Sequence, residues 1–155
     1  MLLNKLISLR EENDMSQNKL GNIIGVNRIS ISRWENGVEI IPLRKAIKVA
    51  NVFNTNLDYL FGLSNDKLTH YNVNIDLKLS GNRLSKFRKI YNLTLRKLAD
   101  DLNTTSSTIS SYEMGRTLIL SSFAYYIACK YNISIDWLLG YSSHMNISKK
   151  TTVVR

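Results

Sequence analysis

The sequence predicts an all-α fold made of two tandem five-helix domains joined by a linker. Three observations predict it: an internal repeat, apolar residues at helical spacing, and the same order of helix caps and terminating glycines in both copies. The linker adds one expected short β-strand to this scheme. A chain of 155 residues is long enough for two small domains.

The repeat aligns without a gap at an offset of 78 residues, which places Leu6 on Leu84. Between positions 4 and 62, 16 of the 59 aligned pairs are identical. This period exceeds that of solenoid repeats, whereas a segment of about 60 residues can fold alone. The expected divisions are a first domain at 1–64, a linker at 65–80, a second domain at 81–142 and a basic tail at 143–155.

Five helices are expected in the first copy. The first follows the helical spacing of Leu3, Leu6, Ile7 and Leu9. Polar residues that suit N-caps precede the second, third and fifth helices, and these residues are Ser16, Asn27 and Asn56. Pro42 suits the first turn of the fourth helix, which runs to about Phe53. The other expected spans are Gln17–Ile24, Arg28–Asn36 and Leu57–Phe61.

The second copy repeats this order of caps and stops. Its expected N-caps are Asn82, Thr94, Thr105 and Ser134. Gly115 and Gly140 are the expected stops, since glycine readily adopts the conformation that ends a helix.

The linker segment "YNVNIDLKLS" (71–80) alternates strictly between apolar and polar residues. Such alternation indicates a β-strand. A lone strand leaves backbone groups unpaired, so this strand needs a partner. The partner is either the tail 149–155 or the same strand of another chain, which would build a homodimer by two-fold symmetry. An extended linker packed on a helical domain is the alternative.

Composition narrows the class of partner. The net charge is +9, and the isoelectric point is about 9.7. This charge favours nucleic acid first and an acidic lipid surface second, although a basic protein without such a partner explains it equally well. The single Cys129 fits a reducing compartment. Because neither a signal peptide nor an apolar run of about 18 residues is found, we expect a cytoplasmic protein that does not span a membrane.

No catalytic or metal-binding cluster is expected. His70 and His144 have no carboxylate or cysteine at ligand spacing. The sequence also lacks a glycine loop of the phosphate-binding type. We therefore expect a protein that is not an enzyme and that uses neither cofactor nor metal.

Two short helices separated by a tight turn at Gly25-Val26-Asn27 have helix-turn-helix form. The first copy contains in order Ser16-Gln17, Leu20, Gly25-Val26, "ISISRWENG", Pro42, Ala46, Ala50 and "NTNLDYLFG". The second contains Thr94, Leu98-Ala99, "TISSYEMG" and "IACKYNISIDWLLG". Each ordered set resembles the Cro/CI-type (XRE, lambda-repressor-like) DNA-binding domain. The resemblance covers residues 3–63 and 81–141.

The resemblance implies a five-helix domain whose third helix enters the major groove of double-stranded DNA. The first copy's candidate DNA contacts are Gln17, Asn27, Arg28, Ile29, Ser30, Arg33 and Asn36. An arginine can bind guanine O6 and N7 together, and Ile29 can pack on a thymine methyl group. Gln17 would grip a phosphate beside a helix N-terminus, and Asn36 would contact the DNA backbone. A solvated helix face is the alternative for the two arginines.

The second copy departs from the pattern because Leu95 replaces the glutamine. Its candidate DNA contacts are Arg96, Lys97, Thr105, Ser106, Ser107, Ser111 and Arg116. Small hydroxyls contact bases or phosphates and discriminate weakly. Two interpretations stay open: a second DNA-reading head of lower specificity, or a former head now used for dimerisation or for binding a partner.

Two arginine–glutamate pairs occupy equivalent positions in the copies. They are Arg10 with Glu35 and Arg88 with Glu113. The resemblance implies that each pair is structural and links the first helix to the end of the third.

The function that these observations predict is a sequence-specific DNA-binding transcriptional regulator. Repression is the mechanism that the resemblance implies first. The composition, rich in Asn, Ile and Lys, suggests a bacterium of low GC content or one of its phages. The alternative is an antitoxin or another protein-interaction regulator whose second domain binds a protein or dimerises.

Overall fold

The computed structural model describes residues 4–68 and 74–147. Within these residues the chain forms ten helices and no strand, which confirms the all-α prediction. The first five are α1 Leu6–Glu12, α2 Gln17–Ile24, α3 Arg28–Glu35, α4 Leu43–Val52 and α5 Leu57–Leu60. The second five are α6 Leu77–Ile90, α7 Leu95–Asp101, α8 Ser106–Glu113, α9 Ser121–Tyr131 and α10 Ile135–Leu138. The described residues fall into two compact units, with α1–α5 in unit 1 and α6–α10 in unit 2.

The caps predicted for α2 and α3 position the centre of unit 1. The Ser16 hydroxyl accepts a hydrogen bond from the Lys19 backbone N–H at 3.0 Å. The Asn27 side chain accepts one from the Ser30 N–H at 2.9 Å. Between them Gly25 ends α2 at a φ of 76°, a conformation that glycine tolerates without steric cost. The two helices are therefore held at a tight turn.

Each unit has its own apolar core. The fully buried side chains of unit 1 include Leu6, Leu9, Leu20, Ile24, Ile31, Leu57 and Leu60. Those of unit 2 include Leu84, Phe87, Leu98, Ile109, Ile127, Ile135 and Leu138. Several of these fall at equivalent positions of the repeat, such as Ile31 and Ile109, so the same helix faces turn inward in both units.

Three of the four caps predicted for unit 2 are confirmed. Thr94 caps α7, Thr105 caps α8 and Ser134 caps α10, each through a side-chain oxygen that accepts a backbone N–H. The fourth prediction is wrong, because Asn82 lies inside α6. The cap of α6 is Asp76, whose carboxylate accepts from the Leu79 N–H at 3.0 Å.

The strand predicted at 71–80 is also wrong where the structure describes it. Residues 74–76 have no regular structure, and Leu77–Ser80 form the first turn of α6. Residues 71–73 lie outside the described part. Helical winding buries Ser80, Gly81, Leu84 and Phe87 on one side of α6, which period-two pairing would not do. Without the strand, the basis for a homodimer through it is lost.

The additional residues at the start of α6 pack against the end of α8. Gly81 lies so close to α8 that a Cβ at this position would be 2.5 Å from the Glu113 carbonyl oxygen and closer still to that of Tyr112. Likewise, a Cβ at Gly115 would lie 3.0 Å from the Leu77 carbonyl oxygen. α6 has 14 residues where α1 has 7, so unit 2 holds its DNA-reading candidate α8 with a longer first helix.

No described helix combines the length and the apolar composition needed to cross a membrane. In residues 4–68 and 74–147, no group of three or more His, Cys, Asp and Glu side chains is arranged to hold a metal ion.

Candidate nucleic-acid interface

α3 has one buried side and one exposed side. Ile31 and Trp34 are buried in the core of unit 1. The opposite side, which we call the α3 face, consists of Arg28, Ile29, Arg33 and Asn36, all exposed. Ile29 is 63% exposed, which leaves its side chain available for contact. Four of the predicted contact residues therefore share one accessible surface.

Asn27 and Ser30 form the N-terminal cap of α3. The Ser30 hydroxyl donates to the Asn27 side-chain oxygen at 3.1 Å, in addition to the backbone bond described above. This cap fixes the direction in which the first turn of α3 presents its side chains. The structure thus gives both residues a local structural role, and their contact with DNA stays a prediction.

Glu35 is the centre of a polar network beneath the α3 face. Arg10 binds it through two bonds, Nε to Oε1 at 2.6 Å and NH2 to Oε2 at 3.2 Å, and also donates to the Met15 carbonyl at 2.8 Å. The Glu35 side chain is only 4% exposed. The hydrogen bond with Glu35 raises the pKa of Arg10 above the ordinary value of an arginine, although burial acts in the opposite direction. The pair connects α1 to the end of α3.

Gln17 connects this network to the α3 face. Its amide nitrogen donates to Glu35 Oε2 at 2.7 Å, and its oxygen accepts from Arg28 NH1 at 3.4 Å. The glutamine predicted as a phosphate contact thus links α2, the buried carboxylate and the first arginine of α3. Sequence reasoning missed these two bonds, since nothing in the local pattern pairs Gln17 with either partner.

Arg33 has a different partner, which sequence reasoning also missed. Its Nε lies 2.9 Å from Glu39 Oε1, and both side chains are about half exposed. Glu39 lies in the segment between α3 and α4. The second arginine of the α3 face is therefore held at one edge of its guanidinium group.

Unit 2 retains the scaffold pair, which is the equivalent of Arg10 with Glu35. Its described residues have no counterpart of the bonds made by Gln17 or of the pair between Arg33 and Glu39. Arg88 binds Glu113 through Nε to Oε1 at 2.5 Å and NH2 to Oε2 at 3.2 Å, and donates to the Leu93 carbonyl at 2.9 Å. Leu95 occupies the position of Gln17 and provides no hydrogen-bonding side chain. The pair thus joins the same two helices as in unit 1.

α8 presents hydroxyls in place of the arginines. Ser107 is exposed, whereas Ser106 and Ser111 are partly buried. Thr105 serves as the cap of α8, and its hydroxyl lies 3.0 Å from that of Thr108. The cationic candidates near α8 are Arg96 and Arg116, both exposed.

Lys97 is engaged with a neighbouring acid. Its Nζ lies 2.9 Å from Asp101 Oδ1, one turn along α7, and Lys130 approaches the other carboxylate oxygen at 3.6 Å. The hydrogen bond to Asp101 raises the pKa of Lys97. A phosphate would therefore compete with Asp101 for this lysine. The spacing of four residues in a helix was the signal that could have indicated the pair.

Each unit thus contains two capped helices around a tight turn, the second of which exposes one polar side. This is the helix-turn-helix class of DNA-binding domain. Residues 6–60 match a family described as helix-turn-helix, and residues 81–140 match a second family described as helix-turn-helix domain. No curated protein and no solved structure was found to match the chain.

The chain belongs to the XRE family of helix-turn-helix proteins and contains two such domains in tandem. It is accordingly a DNA-binding regulator of the XRE type.

Proposed function

We propose that the protein is a transcriptional repressor that recognises its operator mainly through α3 of unit 1. The observation that supports this most directly is the α3 face, where Arg28, Ile29 and Arg33 are exposed on a helix anchored by its other side. A helix of this kind fits the major groove, and its first residues reach base edges. Occupation of a promoter by such a complex represses transcription by excluding the polymerase.

Unit 2 is proposed to bind the same DNA with weaker discrimination. Its exposed Arg96 and Arg116 suit phosphates, and the α8 hydroxyls contact bases or phosphates without strong preference. Phosphate contacts add affinity that is independent of sequence and decreases with salt. The proposed division is a unit that selects the site and a unit that strengthens the binding. The proposed setting is the cytoplasm, and the composition suggests that of a bacterium or of a phage host.

Selection of bound duplexes from random DNA by the whole chain tests this proposal. The wild type should enrich one defined motif. Arg28→Ala should weaken binding to that motif by about 1–3 kcal/mol and relax one base position, whereas an equal loss on random DNA would identify a phosphate contact. Absence of any enriched motif at low salt contradicts the proposal. A reporter with the selected motif across its promoter then tests the sign of regulation, and a rise in expression would refute repression.

A protein-binding role for unit 2 is the second candidate, as in an antitoxin. It is favoured by two large apolar side chains that lie near the end of α8 and after it, Met114 and Leu120, which are 57% and 54% exposed. Leu95 also favours this candidate, because it replaces the glutamine of unit 1 with a side chain that cannot form a hydrogen bond to DNA. If Ser106→Ala/Ser107→Ala and Arg96→Ala/Arg116→Ala leave DNA affinity and footprint unchanged, unit 2 does not contact DNA, and this candidate replaces the first for unit 2.

A further inference from the structure

The contact between Arg33 and Glu39 is built into the end of α3. Gly37 adopts a φ of 68° and reverses the chain after the helix. The backbone N–H groups of Val38 and Glu39 then both donate to the carbonyl of Arg33, at 2.9 and 3.3 Å. Glu39 is thereby bound through its main chain to the same residue that its carboxylate contacts. Its place beside Arg33 follows from the fold.

Unit 2 provides an internal comparison for this contact. Gly115 has a φ of 71°, and the Arg116 N–H donates to the Ser111 carbonyl at 3.0 Å, so the chain reverses in the same way. The residues equivalent to Arg33 and Glu39 are Ser111 and Thr117, and neither is charged. The helix end therefore forms without the ion pair, in contrast to the scaffold pair that both units retain.

The ion pair between Arg33 and Glu39 is expected to contribute little to the folding stability of unit 1. The side chains of Arg33 and Glu39 are 46% and 51% exposed. Exposed ion pairs typically contribute about 0–1 kcal/mol, because water screens them and two long side chains lose freedom. The main effect of Glu39 is therefore expected to be on the donors and the charge of Arg33.

Glu39 changes two properties of Arg33 that matter for DNA. A guanidinium has five N–H donors, and Glu39 engages Nε, which leaves the donors on NH1 and NH2 for two bonds to guanine. The carboxylate also offsets a positive charge that would otherwise attract the phosphates of any sequence. A free arginine in this place would be mobile and would bind DNA with less discrimination.

We propose that Glu39 is a specificity-determining residue, which orients Arg33 for base contact and suppresses its contact with phosphate. This inference rests on the proposed function, since it assumes that α3 reads the groove. Glu39 acts through Arg33 and is a positioning residue for it.

The test measures affinity of the full chain for the selected duplex and for a duplex of random sequence, each across a salt series. Glu39→Gln should lower the ratio of specific to random affinity by about 10-fold, of the order of the discrimination that one two-bond base contact provides. The salt dependence on random DNA should steepen by about 0.9 in log–log slope, the value for one additional phosphate contact. In the Arg33→Ala background, Glu39→Gln should leave the ratio unchanged.

Glu12→Gln is the matched control. It removes the same charge from another exposed ion pair of unit 1, in which Lys67 Nζ lies 3.7 Å from Glu12 Oε2. The specific-to-random ratio of this variant should equal that of the wild type. If Glu39→Gln behaves like this control, or if its effect persists without Arg33, the inference is overturned. If the wild type itself binds selected and random DNA equally, the proposed function fails as well, and this outcome is distinct from the first two.

Discussion

Gly81→Ala tests the packing of α6 against α8 by the sign of its effect. Inside a helix this substitution normally stabilises, because alanine has a better helix propensity than glycine by about 1 kcal/mol. Here the added Cβ would be 2.5 Å from the Glu113 carbonyl oxygen, and closer to that of Tyr112, where ordinary contacts begin at 3.4 Å. The two helices must therefore separate by roughly 1 Å, or the backbone must distort.

The cost of that separation should exceed the gain in propensity. Overpacking of a close contact costs about 1–3 kcal/mol, and rigid backbone atoms place this case in the upper part of that range. The shift would also strain the bond between Arg88 and Glu113, which joins the same two helices at 2.5 Å. After subtraction of the propensity term, unit 2 should lose about 1–2 kcal/mol, and its Tm should fall by about 4–8 °C per kcal/mol.

Amide hydrogen exchange of the full chain measures this loss unit by unit. Protection should decrease in α6 and α8, while α1–α5 of unit 1 serve as the internal reference. Asn82→Ala is the control, because Asn82 is exposed within α6 and alanine there should stabilise by up to about 0.7 kcal/mol. A stabilised Gly81→Ala would refute the close contact. A destabilised Asn82→Ala would refute the helix start at Leu77, since loss of an asparagine cap costs about 1 kcal/mol.

Two further predictions concern the ion pairs. Arg10→Met should destabilise unit 1 by about 3–5 kcal/mol in urea unfolding, because Glu35 would remain buried and charged without its main partner, and a loss below 1 kcal/mol would contradict this. The hydrogen bond from Lys97 lowers the pKa of Asp101 below its ordinary value, so the stabilisation by this bond is complete above the ordinary pKa of an aspartate and disappears as the pH falls through the lowered pKa. The free energy of unfolding of Asp101→Asn should accordingly not show this decrease at acid pH. Parallel curves of unfolding free energy against pH for the wild type and the variant would contradict the prediction.

Short-range signals explain why most helices could be predicted. Ser16, Asn27, Thr94 and Thr105 each precede an apolar pattern by the distance that a cap requires, and the cap bonds form where expected. These bonds involve residues three apart, so the local sequence contains the whole interaction.

The start of α6 could not be predicted in the same way. Ile75, Leu77 and Leu79 alternate with polar residues, and over so short a segment this pattern fits a strand as well as a helix end. The choice is made by packing on α8, which is distant in sequence. Gly81 then permits the close approach, and Asp76 provides a cap that the alternating pattern concealed.

The features of the candidate site likewise fall into those that the local sequence predicts and those that depend on packing between separate segments. The exposure of Arg28 and Ile29 follows from the helical period, because Ile31 and Trp34 must face the core. The bonds of Gln17 to Glu35, and of Glu39 to Arg33, join residues 18 and 6 positions apart across helix ends. Neither the helical nor the strand period predicts contacts at such separations in sequence, because these contacts depend on how the backbone turns at Gly25 and Gly37.

The presence of two unlike third helices in one polypeptide affects how such a regulator changes through mutation. In a homodimer one codon determines the same position in both halves, so every substitution alters two half-sites at once. Here the codons for Arg28 and Ser106 are separate, although the positions are equivalent in the repeat. Either helix can therefore change while the other keeps its sequence, and if both contact DNA as proposed, a lineage can acquire an asymmetric operator one base at a time.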